Sequence, residues 1–268
     1  MDHFSTKAIV LRVRDTGASD VLATLLTPRN GRLVCAARNA RKSFKRFSGC
    51  LNLFSEIDAV VAASEGRDVM RIESAALLDP FEGLRRNRVF AIASAGIELV
   101  DRISRGAEEA PAVYSETRGF LAALSSAGCG KTGESEDRRT QRSALTGFSL
   151  RILALSGFRP EFDHCVSCGR DATTKGVTRT FDLHRGGLVC PKCVGSARTH
   201  ARGHVSLSAA ARAALKEMLG ARVRPSASAA AQQSGVSLQP SWSAECARLV
   251  DALVVERLGS PLRSWSAV

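Results

Sequence analysis

Over the first 80 residues, hydrophobic positions come in short alternating runs. Ile9, Leu11 and Val13 alternate with polar or small neighbours, as in a half-buried strand. Residues 20–27 (DVLATLLT) form a second apolar run that stops at Pro28-Arg29-Asn30-Gly31. Pro presets φ there and Asn-Gly tolerates positive φ, so residues 32–40 (RLVCAARNA) return antiparallel. Residues 50–63 and 68–75, separated by the turn Ser64-Glu65-Gly66-Arg67, give two more strands. Five short strands are the count of an OB-type barrel, and an open five-stranded sheet has the same count.

From Pro80 the hydrophobic period lengthens. Val89, Ile92, Ala93, Ile97, Val100 and Ile103 lie at helical spacing over 88–104, with Glu98, Asp101 and Arg102 elsewhere around the turn. Further helices are predicted over 112–124 and over 140–157, the latter carrying Leu145, Phe148, Ile152, Leu153 and Leu155 before Gly157 and Pro160. The small, polar stretch 125–139 reads as a loop. Residues 207–219 repeat the helical pattern behind a Ser208 cap, and 243–258 repeat it with Leu249, Val250, Leu253 and Val254. Between them 223–241, rich in Ser, Ala, Gln and Pro, reads as a flexible insertion. The expected architecture is α+β: a five-stranded barrel over 1–80, a helical domain over 81–160 and 205–268, and an insertion over 161–204.

Charge makes the barrel the first place to look for function. The chain of 268 residues has 38 Lys and Arg against 26 Asp and Glu, a formal +12, which points to a polyanionic partner. No acid occurs between Asp20 and Glu56, whereas Arg29, Arg32, Arg38, Arg41, Lys42, Lys45 and Arg46 all do. The remainder of the first 80 residues carries 5 basic and 9 acidic side chains. A positive hairpin thus stands on an acidic scaffold. Phe44 and Phe47 are interleaved with the cations of RNARKSFKR (38–46) and the residue after it, the composition of a surface where bases stack while cations track phosphates. Neutralising Arg41, Lys42, Lys45 and Arg46 together is expected to weaken DNA binding and flatten its salt dependence. Arg85, Arg86 and Arg88 form a weaker cluster, and Arg138, Arg139 and Arg142 another.

Four of the eight cysteines fall in two pairs, Cys165-x2-Cys168 and Cys190-x2-Cys193, separated by 21 residues. Two such knuckles enclose one tetrahedral Zn²⁺. Gly169 relieves the tight backbone behind the first pair, and a hairpin turning at Gly186-Gly187 brings the pairs together. Four thiolates leave no open coordination position, so one zinc per chain is structural, holding a zinc-ribbon element too small to fold by core burial. Bound in this way it lowers the net charge to about +10. Cys35, Cys50, Cys129 and Cys246 are isolated and read as packing residues or inert surface thiols.

Nothing in the chain favours an enzyme. A zinc deaminase needs H-x-E and P-C-x-x-C, and neither is present. Gly130-Lys131-Thr132 resembles the end of a phosphate-binding loop, but the required first glycine is replaced by Ser125 and no strand precedes it. No apolar run approaches the roughly 18 residues of a membrane span. The N-terminus lacks the pattern of a secretory signal, so the expected location is the cytoplasm with no membrane partner.

Taken in order, several segments resemble the RecO family of bacterial recombination mediators: KAIVLRVRDTGASDVLATLLTPRNGRLVCAARNARKSFKRF, ESAALLDPFEGLR, LALSGFRPEFDHCVSC, GGLVCPKC and ERLGSPLRS. The resemblance spans nearly the whole chain and is weakest at 125–140 and 223–241. It implies an N-terminal OB-fold, a helical domain and an embedded zinc ribbon, with the metal a structural option because some members lack the cysteines. It also implies binding of single- and double-stranded DNA, annealing of complementary strands including those coated by single-strand-binding protein, and help from RecR in loading RecA. The implied protein partners are RecR at the OB region and the acidic C-terminal tail of the single-strand-binding protein at the helical domain. Arg142 and Arg151 are the candidate tail contacts, and a nucleoid association during repair follows. A zinc-ribbon and OB module for RNA or transcription, without a repair role, is the alternative.

Overall fold

A computed structural model describes residues 3–47, 49–63, 69–85, 87–104, 106–128, 134–172, 179–195, 203–220 and 240–267. The chain divides into two compact units, Met1–Lys131 with Ala267–Val268, and Thr132–Ser266. The first unit is built on strands β1 (His3–Thr16), β2 (Asp20–Thr27), β3 (Gly31–Ala37), β4 (Glu56–Ala62) and β5 (Met70–Asp79), closed into a barrel in the order β1-β2-β3-β5-β4. Closure depends on the long β1, whose first half pairs with β4 and whose second half pairs with β2, while β3 meets β5 in a short parallel contact. The open-sheet alternative is thereby excluded.

The interior holds Val10, Leu25, Cys35, Phe47, Ile57 and Ile72 among others. The inward face of β1 differs from the expected Ile9, Leu11 and Val13. Phe4, Ala8 and Val10 face the barrel core, the register shifts between Val10 and Arg12, and only then does Val13 face inward. A bulge adds one residue to the strand and reverses the phase of alternation beyond it. Ile9 and Leu11 are buried too, because α2 (Asn87–Ile103) packs against β1. β4 starts later than expected, since Phe54 turns with φ 74° and donates its amide to the Val10 carbonyl at 2.9 Å. β5 runs on to Asp79, with Leu77 opposite Ile57. The turn at 64–67 lies outside the described residues.

The helices α2 and α3 (Ala110–Gly128), expected in the helical domain, belong to the same compact unit as the barrel. Two buried carboxylates join them to it. Asp101 of α2, expected on the polar face of its helix, is almost fully buried and accepts from Arg12 and, at 2.7 Å, from Arg32 Nε. Glu56 at the start of β4 accepts from Tyr114 Oη at 2.7 Å and from Arg118 Nε at 2.8 Å, both on α3. Each carboxylate is desolvated but met by charge-assisted hydrogen bonds, the condition under which burial of a charge is tolerated. Burial, then the hydrogen bond to Glu56, push the Tyr114 phenol above its ordinary range.

The second unit packs α4 (Glu134–Leu155), α6 (Ala209–Gly220) and α7 (Pro240–Leu258) together. The expected apolar faces are buried, with Phe148, Ile152, Leu249 and Val254 inaccessible to solvent. Ser208 caps α6: its Oγ accepts from the Ala211 amide at 3.1 Å and donates to Glu245. The polar segment 125–139, expected to be a loop throughout, contains the end of α3 and the start of α4; 129–133, with Cys129 and the Gly-Lys-Thr run, lie outside the described residues. So does the Ser/Ala/Gln/Pro segment up to 239, whereas 240 and 241 open α7. Between α4 and α6 sit β6 (Thr180–Asp182), β7 (Gly187–Val189), the one-turn α5 (Pro191–Gly195) and β8 (His204–Ser206), forming a sheet in the order β7-β6-β8. The hairpin was expected; the third strand was not. No helix among the described residues is long and apolar enough to cross a membrane.

Candidate nucleic-acid interface and metal centre

Strand β3 separates the seven cations that the sequence places together. Arg29 and Arg32 lie at its start and Arg38 to Arg46 beyond its end; six residue steps of strand between Gly31 and Ala37 put about 20 Å between the two groups. Arg32 is held by Asp101, so it serves the junction between barrel and α2. Arg29 is exposed at the β2–β3 turn.

At the far end, the backbone turns through Asn39 (φ 54°), a residue type that tolerates this left-handed conformation. The loop is tied to the β1–β2 turn. The Asn39 amide donates to Asp20 Oδ1 at 2.7 Å, Ser19 Oγ donates to Asn39 Oδ1 at 3.0 Å, and the Arg41 amide donates to the Ser19 carbonyl at 3.1 Å. Helix α1 (Phe44–Phe47) follows, a single turn that sends its two aromatic rings in opposite directions. Phe47 is 1% exposed and lies in the barrel core, while Phe44 is 81% exposed. Of these two rings, Phe44 is the one exposed to solvent.

The cations divide in the same way. Arg41 is paired with Asp15, and Arg46 is folded inward, donating to the Arg38 carbonyl at 2.7 Å and to Ser43 Oγ at 3.0 Å, with its guanidinium over the Phe47 ring. The side chains of Arg38, Lys42 and Lys45 are exposed and make no hydrogen bond or ion pair among the described residues. Arg14, near the end of β1 beside the same turn, is exposed in the same way. Sequence counting missed Arg14 because Asp15 and Asp20 separate it from the acid-free window; strand pairing brings it to this end of the barrel. Arg85 is exposed at the end of a 3-10 turn (Glu82–Arg85), while Arg86 and the side chains of Arg88, Arg138 and Arg139 lie outside the described residues.

In the second unit, hairpin β6–β7 brings the two cysteine pairs together as their spacing predicts. The sulfurs of Cys165, Cys168, Cys190 and Cys193 all lie within 4.8 Å of one another, and Cys168 Sγ is 3.8 Å from Cys190 Sγ. A disulfide would need about 2.05 Å. Four thiolates around one Zn²⁺ at about 2.3 Å form a tetrahedron with edges of about 3.8 Å, so the donor set fits a tetrahedral cation. Gly169 has φ 70° directly behind the first knuckle, as expected. Gly187 lets the hairpin approach that knuckle, since a Cβ there would meet Val166 Cγ1 at 2.3 Å.

Electrostatics at the cluster point the same way. Burial raises the Cys165 thiol, but the backbone amides of Cys190, Ser167 and Cys168 outweigh it and draw the thiol down to about 6. Hydrogen bonds from its sulfur neighbours push Cys193 in the opposite direction. By contrast, Cys35, Cys50 and Cys246 are buried, and desolvation raises their thiols, as fits packing residues.

The two candidate tail-binding arginines are not brought together. Arg142 and Arg151 are nine residues apart on α4, half a turn out of phase at 100° per residue. Arg142 faces Asp251 of α7 at 3.6 Å, and Arg151 Nη1 donates to the Met218 carbonyl of α6 at 3.1 Å.

A small closed barrel with an exposed basic loop, followed by a helical unit carrying a four-cysteine ribbon, defines the class. Two family profiles cover almost the whole chain: recombination protein O N terminal over residues 1–81 and recombination protein O C terminal over 88–266. The chain is 34% identical over 214 residues to the DNA repair protein RecO of Syntrophotalea carbinolica, covering 80% of this chain and 78% of that protein. It is 30% identical over 265 residues to the DNA repair protein RecO of Myxococcus xanthus, covering 98% and 96%. With the DNA repair protein RecO of an Anaeromyxobacter species it shares 32% identity over 263 residues, covering 97% and 93%. The chain belongs to the RecO family of DNA repair proteins.

Proposed function

We propose that this protein is a recombination mediator without covalent chemistry of its own. It binds single- and double-stranded DNA, anneals complementary strands, including strands coated by single-strand-binding protein, and acts with RecR to load RecA in the cytoplasm. The observation that carries this reading is the 38–46 loop, where Arg38, Lys42 and Lys45 stand without described partners around an exposed Phe44, in a chain of this family.

Annealing follows from those side chains. Two strands repel through their phosphates, and cations that displace the condensed counterions of both lower the barrier to the first base pairs. Arg38, Lys42 and Lys45 already face solvent with no ion pair among the described residues to be broken before they meet phosphate. Phe44 supplies a stacking face that does not depend on sequence. Arg41 is available only at the cost of its pair with Asp15, and Arg46 supports the loop from beneath.

Zinc is the cation that a closed four-thiolate site takes, one per chain, and it would hold the 161–204 insertion together. RecR is a candidate partner of the barrel, and the acidic tail of single-strand-binding protein a candidate ligand of the helices around Arg142 or Arg151, at one of these residues and not both in a single pocket. The test is the annealing rate of complementary oligonucleotides coated by single-strand-binding protein, with structured RNA as competitor. Acceleration that RNA does not abolish supports a mediator. No acceleration, with tighter binding to RNA than to single-stranded DNA, would instead assign the chain to RNA work.

A further inference from the structure

The four-cysteine element has an electrostatic asymmetry that metal binding does not require. Its acids are engaged within the fold. Glu161 accepts from the amides of Asp163 at 2.6 Å and His164 at 3.0 Å, Asp163 is paired with Lys216, and the buried Asp182 accepts from the Arg185 amide at 3.1 Å. Asp171, beside Arg170, also has a partner. Its cations point outward. Arg170, two residues after Cys168, and Lys192, between Cys190 and Cys193, are exposed, and their side chains make no hydrogen bond or ion pair among the described residues. Arg185, at the tip of the β6–β7 hairpin, is exposed and donates to Ser167, which lies between Cys165 and Cys168. The two knuckles thus set Arg170 and Lys192 beside the cluster, and the contact with Ser167 brings Arg185 to the first of them.

The simplest role for cations beside thiolates is to offset their charge. At Cys165 the backbone takes that role, the Cys190 amide donating to its sulfur at 3.3 Å. The surface between the cations is small or polar: Ser167, Gly169 and Pro191 are exposed, and no large hydrophobic side chain is exposed among the described residues of 161–195. A peptide ligand would need pockets for its side chains, whereas a sugar-phosphate backbone needs only cations on an open surface.

The geometry points to a second phosphate-binding surface on the ribbon, where Arg170, Arg185 and Lys192 take the backbone of a nucleic acid strand. This rests on the reading of the chain as a DNA-binding protein, and it adds a site in the unit that does not contain the barrel. A mediator with a cationic surface in each unit has separate sites for two strands.

The test compares salt titrations of single-stranded DNA binding for three forms of the metal-loaded full chain: wild type, Lys42→Gln/Lys45→Gln, and Arg170→Gln/Arg185→Gln/Lys192→Gln. The ribbon variant is expected to keep its metal and to lose about 2 from the slope of log K against log salt, near 0.7 per phosphate contact. Arg170→Lys/Arg185→Lys should retain the wild-type slope. A metal-loaded ribbon variant with an unchanged slope, alongside a weakened barrel variant, overturns the ribbon site and leaves the barrel reading standing. A wild-type chain that binds no DNA overturns both. Should the ribbon variant fail to fold, acetylation of Lys192 in the wild-type chain decides. Protection by a saturating oligonucleotide supports the site; no protection, or protection only by an acidic peptide, refutes it.

Discussion

Phe44 and Phe47 lie three residues apart on one helical turn, and their truncation should have opposite consequences. Phe44 is 81% exposed, so Phe44→Ala removes a ring that folding does not bury, and stability should stay within about 0.5 kcal/mol of wild type. If the ring stacks on a base, its loss costs about 1–3 kcal/mol of binding, a fall of about 5- to 150-fold in affinity for single-stranded DNA. Phe47 is 1% exposed in the barrel core, and Phe47→Ala should cost about 3–5 kcal/mol of stability, lowering the thermal midpoint by on the order of 10 °C. Fluorescence anisotropy of a labelled oligonucleotide reads the first effect, and thermal denaturation the second. A folded Phe44→Ala chain with wild-type affinity would refute stacking and leave the loop with a purely electrostatic role.

Three further outcomes follow from the two units. Asp101→Asn removes the carboxylate that holds Arg12 and Arg32; with both arginines partly exposed, the expected loss is about 1–3 kcal/mol in chemical denaturation, with DNA affinity not reduced. Reduced affinity in the folded variant would return Arg32 to the DNA surface. Elemental analysis should find about one zinc per chain, lost in Cys165→Ser and lost from wild type at acid pH, where protons compete with the metal for the four thiolates; a folded wild-type chain without metal would refute the site. Burial raises the Asp251 carboxyl, while Arg142 draws it the other way. A carboxyl raised on folding contributes stability that is full below its unfolded pKa and lost as pH rises through its folded pKa. Asp251→Asn should therefore raise the thermal midpoint at pH 7 and leave it little changed at acid pH, and a lowered midpoint at pH 7 would mean that the Arg142 pair outweighs burial.

The cysteine pairs were legible because two x2 spacings and an intervening Gly-Gly turn encode the cluster locally, and the cluster forms as their spacing predicts. The strand count and most helices were legible for a similar reason, since hydrophobic period follows local backbone geometry. Three features were not. The β1 bulge reverses which residues face inward, and nothing in the alternation of Ile9, Leu11 and Val13 marks it. The uniform positive run from Arg29 to Arg46 conceals a strand that divides it, along with the partners of Arg32 and Arg41, which come from Asp101 and Asp15 and become neighbours only through tertiary pairing. The separation of Arg142 from Arg151 was implicit in helical phase, a nine-residue spacing that places them on opposite faces.

The central claim is that DNA is held at the barrel end by the exposed cations that have no partner among the described residues. The most direct measurement is the salt dependence of single-stranded DNA binding for Arg38→Gln/Lys42→Gln/Lys45→Gln against wild type. The predicted result is a slope smaller by about 2 and weaker binding at every salt concentration, with the thermal midpoint unchanged. An unchanged slope in the folded variant would contradict the claim.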